Sequence, residues 1–282
     1  FPDRVRATKL FFEEMLEFCI LEEKAIQSLR KKAVKRLNQE KIFRFNYVLD
    51  TTNYAPLTLD GFAAKFKKSE VTGLDRLYYD RNEPFSKEIK YFNKYRAIDS
   101  IEIPEEYLVS RAAYRVLERL QANNVEMKRL EQDTVITVMQ QRVVHYKTRS
   151  KPYENHHPYF EVEVEYEKVE KAFKKGDWRI STNQYQRNVI NSVLIAEAEN
   201  SYFRWNFMDS YLDQKEYFSP YVFEDIAADM LVENPELKQQ LEKKRKEDPD
   251  FAKSQWQQLF FIYSHSPYYE PNVGVLPIYL KY

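Results

Sequence analysis

The chain has 282 residues, enough for one large or two modest domains with cores of their own. Lysine plus arginine and aspartate plus glutamate each number 44, so the net charge is zero and the basic excess behind general nucleic-acid binding is missing. Four glycines without a GxGxxG or GxxxxGKS/T pattern exclude the common phosphate loops, and a single cysteine, Cys19, excludes an intrachain disulfide.

No run is long and apolar enough to span a bilayer. The first residue is Phe rather than Met and no signal-like segment is present, so the chain reads as a piece of a longer product.

Phe1 to Leu37 reads as one long helix. Val5, Thr8, Phe12, Met15, Cys19, Ile26, Leu29, Ala33 and Leu37 return in steps of three and four, with Glu22 as the polar break. A seam of this length needs a partner. Either neighbouring structure in the chain covers it, or it belongs to a preceding domain that is absent. Val5, Phe12, Met15, Ile26 and Leu29 are then the candidate contacts with that domain.

From Ile42 to Ile103 the pattern changes to strands and loops, clearest in the alternation of Phe43, Phe45, Tyr47 and Leu49. Tyr107-Leu108-Val109 reads as a strand, Ser110 as a helix start, and Val125 to Leu130 as a second strand. Together they form a β-α-β unit, and strands sharing one sheet require a right-handed crossover. Residues 134–139 and 142–147 give two further strand candidates. Between Phe160 and Tyr166 the alternation is strict, with Val162, Val164 and Tyr166 on one face and Glu161, Glu163 and Glu165 on the other, the pattern of an antiparallel strand with one solvated face. Ser181 and Gln184 fit a capping box before a helix holding Val189, Ile190, Val193 and Leu194.

Three helix starts follow in series at Ser219-Pro220, Asn234-Pro235 and Asp248-Pro249, each a side-chain acceptor before a proline. Behind the last, Phe251, Trp256, Leu259, Phe260 and Tyr263 form an aromatic face, and residues 266–282 read as an extended tail.

Chemistry-bearing motifs are few. The histidines are His145, His156, His157 and His265, and no HxxE, HExxH, CxxC or GxSxG pattern occurs. Tyr153, His156, His157 and Tyr159 form a tyrosine-rich loop whose rings can stack on a sugar or a peptide, with packing as the plainer alternative.

Several stretches carry a resemblance: residues 124–130 (NVEMKRL), 175–178 (KGDW), 205–209 (WNFMD), 221–225 (YVFED) and 266–270 (SPYYE). In order and wording they resemble the C-terminal region of some secreted bacterial proteins of the zinc carboxypeptidase (carboxypeptidase A-like) superfamily, over nearly the whole chain. None is a catalytic signature. That family holds zinc with a His-x-x-Glu pair and a later histidine, none of which has a counterpart here. The opening FPDRVRATK resembles the last helix of the peptidase domain, just past the catalytic glutamate.

The resulting expectation is an α+β fold. It has a long N-terminal helix, a mixed or mostly antiparallel central sheet with one β-α-β crossover, and a helical C-terminal part. Residues 1–40 would close a truncated peptidase domain. Residues 41–282 would be an accessory region, mainly strands over 41–180 and mainly helices over 181–282. The resemblance implies a non-catalytic scaffold whose parent hydrolyses peptide C-termini, with zinc in the parent, none in this chain, and a secreted or periplasmic setting. Its implied partners are the absent peptidase domain and the parent's peptide substrate. The alternative is an independent glycan- or peptide-binding module that uses the tyrosine-rich loop.

Overall fold

The computed structural model describes residues 1–282 and is α+β, with every strand pair antiparallel. The chain forms two compact units, Phe1–Gln39 with Ile103–Tyr282, and Glu40–Glu102. The boundary near residue 40 is thus followed by a second one after Glu102, and the N-terminal helical residues group with the C-terminal part.

The first unit opens with α1 (Pro2–Leu21) and α2 (Glu23–Gln39) instead of one helix. The break is small. Glu22 leaves helical geometry at φ −100° and ψ 16°, yet its N–H still donates to Phe18 O and its own carbonyl accepts from Ile26.

The body of this unit is a six-stranded sheet. Its strands are β5 (Glu106–Val109), β6 (Lys128–Arg129), β7 (Thr134–Thr148), β8 (Tyr159–Phe173), β9 (Trp178–Ser181) and β10 (Val275–Lys281), in the order β6-β9-β5-β10-β7-β8. β5 and β6 are both antiparallel to β9, so they run parallel to each other, and α3 (Tyr114–Ala122) joins them as the β-α-β unit. Ser110 does not start α3. It accepts at its carbonyl from Ala113 in a turn, and Ala113 is the N-cap. The two strand candidates over 134–147 are one continuous strand, bent by register shifts around His145.

Tyr107, Val109, Ile180, Ile278 and Leu280 share one sheet face by their cross-strand register, and all are fully buried. α4 (Arg187–Leu194) lies on this face, where the buried Tyr107 hydroxyl donates to Asn191 Oδ1 at 2.8 Å and Gln141 Nε2 donates to Leu194 O at 3.0 Å. The opposite face carries Leu108, Val138 and Tyr279, sealed by Leu130, Phe173 and Val275. The expected capping box before α4 is absent: Gln186 is the N-cap, the Ser181 hydroxyl accepts from Asn183 N–H, and the Gln184 amide oxygen accepts from Glu126 N–H.

The helical part contains α5 (Pro220–Glu233), α6 (Pro235–Glu247), α7 (Pro249–Ala252) and α8 (Gln255–Tyr263). Asn234 accepts from Leu237 N–H, Asp248 from Asp250 and Phe251 N–H, and Ser254 from Gln257 N–H, whereas Ser219 makes no side-chain cap. The four helices bury Phe223, Leu237, Leu241, Phe251, Leu259 and Ile262 against one another, and Phe218 stacks on Trp256 at 4.7 Å.

In the second unit β1 (Ile42–Leu49) pairs with β4 (Tyr95–Glu102), and β2 (Ala55–Lys68) with β3 (Asp75–Tyr91). A bulge follows Phe62, which pairs with Pro84. Gly61 lies under the ring of Phe85, so a Cβ there would meet the ring at 2.8 Å. Phe45 is the unit's only buried residue.

Candidate functional site

The residues expected to meet an absent domain are all exposed. Val5, Phe12, Met15, Ile26 and Leu29 face solvent, and neither α1 nor α2 buries a single residue. At about 100° per residue, the apolar side chains of α1 cover far more than the single seam read from the sequence. Leu10, Phe11, Leu16, Phe18 and Ile20 are exposed as well, outside that seam. Arg6, Lys9, Glu13 and Glu17 form a polar strip that Asp3 and Glu14 widen to about 140°, and Arg4 and Thr8 interrupt the rest. A helix lying on a protein surface needs an apolar stripe of about 100°; one apolar most of the way round belongs inside a core.

α2, by contrast, is tied to the body. Arg187 donates from Nη1 to Asn38 O at 2.6 Å and Leu37 O at 3.4 Å, satisfying carbonyls at the helix end. Arg30 donates to the Tyr185 hydroxyl at 2.5 Å and stands over its ring.

The tyrosine-rich loop is a two-residue hairpin turn. Tyr153 and His156 exchange both main-chain bonds, and Glu154 and Asn155 take φ of 51° and 62°, the twist of a type I′ turn. The four loop residues do not form one surface. His156 is half-buried against Trp205 and Phe207, at 5.8 and 5.5 Å between ring centroids. His157 is exposed, its Nδ1 at 2.9 Å from Arg149 O and its N–H donating to Asn206 Oδ1. Tyr159 is buried between Tyr146 and Phe203. Burial first and then the Asp209 carboxylate push its phenol well above the ordinary tyrosine range. Of the two tyrosines only Tyr153 presents a ring to solvent, and it leans on Trp205 at 6.1 Å.

Glu161, Glu163 and Glu165 are exposed on β8, and Glu161 pairs with Lys147. No three His, Cys, Asp or Glu side chains stand close enough to hold a metal ion, and the His265 ring bonds instead to Phe261 O at 2.7 Å.

Two cavities flank β6, a group that local spacing does not reveal. On the face of Leu108, a groove of about 1430 Å³ runs over Glu106, Lys128, Arg129, Arg179 and Ser181. Its floor is an ion cluster. Glu106 accepts from Arg179 Nε at 2.7 Å, Arg179 Nη2 at 2.5 Å and Lys281 Nζ at 2.6 Å. Burial alone would raise the Glu106 carboxyl, but these two cations outweigh it and hold the group below its ordinary value. The second cavity, about 360 Å³, lies between α3 and β6, lined by Tyr114, Leu117, Met127, Arg129 and Trp178.

No family model matches the chain, and no curated protein or solved structure matches it. No helix is long and apolar enough to cross a membrane.

Proposed function

We propose that this chain is a non-catalytic accessory region of a larger protein resembling a zinc-dependent carboxypeptidase, and that α1 is enclosed by the peptidase domain. Zinc and the hydrolysis of peptide C-termini belong to that domain, whose setting is secreted or periplasmic. The supporting observation is α1 itself, a helix with apolar side chains over more than half of its circumference that buries nothing. A second helix laid along it would cover one stripe; only a domain folded around it removes the remaining apolar surface from water.

The reading is tested on the native protein from its source. Its intact mass is expected to be well above 34.1 kDa. Cys19, exposed in this chain, is expected to react quickly with a maleimide here and slowly in the native protein, as read by peptide mass mapping. A native mass near 34.1 kDa, or equal Cys19 reactivity in both, overturns the proposal.

A further inference from the structure

We propose that the outer edge of β6 docks an extended peptide segment of a partner protein, one carrying a large apolar residue beside an acidic residue. The main-chain accounting identifies the edge. Leu130 N–H donates to Asp177 O and Leu130 O accepts from Gly176, so Leu130 faces β9. Glu126 faces the same way, with its N–H and carbonyl both taken by the Gln184 amide. Antiparallel alternation turns Lys128 inward with them and leaves the N–H and C=O of Met127 and Arg129 pointing outward. Nothing in the chain meets them.

An unpaired edge is a template for another strand, and folded proteins usually blunt it with charge. The opposite edge of the sheet, β8, is blunted in this way, with Glu161, Glu163 and Glu165 alternating along it and Glu161 twisted to φ 50°. β6 is short and charged too, with Lys128 and Arg129 both exposed, and what sets it apart is a cavity on either side of it. Met127 and Arg129 line both cavities, so a strand added there sends alternate side chains into one cavity and then the other. The smaller cavity offers Leu117, Met127 and the Tyr114 and Trp178 rings to one large apolar side chain. It also carries two cations, Arg111 and Arg129, against one carboxylate, Glu118, which favours an acidic neighbour on the peptide. The site lies away from the Tyr153 loop, and its failure would leave the reading of α1 untouched.

The experiment pans a random-peptide display library against the full chain and measures the winning peptide by fluorescence anisotropy. The expected winners carry an aromatic or large aliphatic residue beside Asp or Glu, and their binding slows amide exchange at Met127 and Arg129. Arg129→Pro removes the outward N–H and leaves the inward ladder bonds in place. It is expected to weaken binding at least about tenfold beyond Arg129→Ala, which controls for the contact with Trp178. Gln121→Trp, from the exposed side of α3, fills the smaller cavity and is expected to abolish binding without touching the strand. Three results overturn the proposal: no enrichment over a blank surface, winners that bind Arg129→Pro and Gln121→Trp like the parent chain, or a dimer that Arg129→Pro dissolves. The last would make a second copy the occupant.

Discussion

α1 and the C-terminal helices α5 to α8 are built from the same kinds of residue and end up in opposite conditions. The C-terminal helices are short, separated at two of their three junctions by prolines, and fold back so that Phe223, Leu241, Phe251 and Ile262 meet. α1 is longer and as rich in phenylalanine and leucine, yet it buries nothing. The difference lies in the turns. Proline-marked caps let a chain return on itself and cover its own apolar surface, whereas α1 passes into α2 over the single non-helical residue Glu22, with only the Glu22–Phe18 and Ile26–Glu22 bonds made at the junction. Helical pattern shows where apolar surface is made; turn chemistry decides whether the same chain can cover it.

The largest effect expected from this contrast is at Leu241, which is fully buried among the four helices. Leu241→Ala should cost about 3 kcal/mol in urea unfolding monitored by tryptophan fluorescence. A cost close to zero would mean that these helices do not cover themselves. The caps come next. Asp248→Ala removes an acceptor that serves two N–H groups and should cost about 1 kcal/mol, while Ser219→Ala, where no cap bond exists, should cost only about 0.3 kcal/mol. Equal costs would remove capping from the comparison. The smallest effect is at Phe12. In this chain Phe12→Ala should change stability by less than about 0.5 kcal/mol, because the ring is already in water. In a native protein that encloses α1, the same substitution should cost about 3 kcal/mol, which is the sharpest form of the contrast.

What could be read from sequence was what neighbouring residues decide together. The acceptor-proline pairs at Asn234 and Asp248 became caps, the alternation over 160–166 became β8, and the β-α-β unit formed around α3. Misreadings arose where tertiary partners take over a local group. Gln184 looked like half of a capping box because of its spacing from Ser181, but its amide oxygen accepts from Glu126 N–H, 58 residues away, and its amide nitrogen donates to Ser181 O and Glu126 O. Tyr159 looked like a loop ring available for stacking, and Phe203 and Tyr146 bury it. The Glu106–Arg179–Lys281 cluster spans 175 positions, so no motif carries it. Leu10, Phe11, Leu16 and Phe18 were visible in the sequence, and tracing one seam through α1 hid how much of the circumference they occupy.

The sheet order also bears on assembly. β10 is the last of the six strands in the chain and sits between β5 and β7. During synthesis, β7 with β8 and β5 with β9 can pair early, but each half keeps a raw side until residues 275–281 emerge, more than a hundred positions after β8. The keystone is laid last. Trimming that stretch would split the sheet down its middle, not fray its rim, and would bare two interior ladders at once.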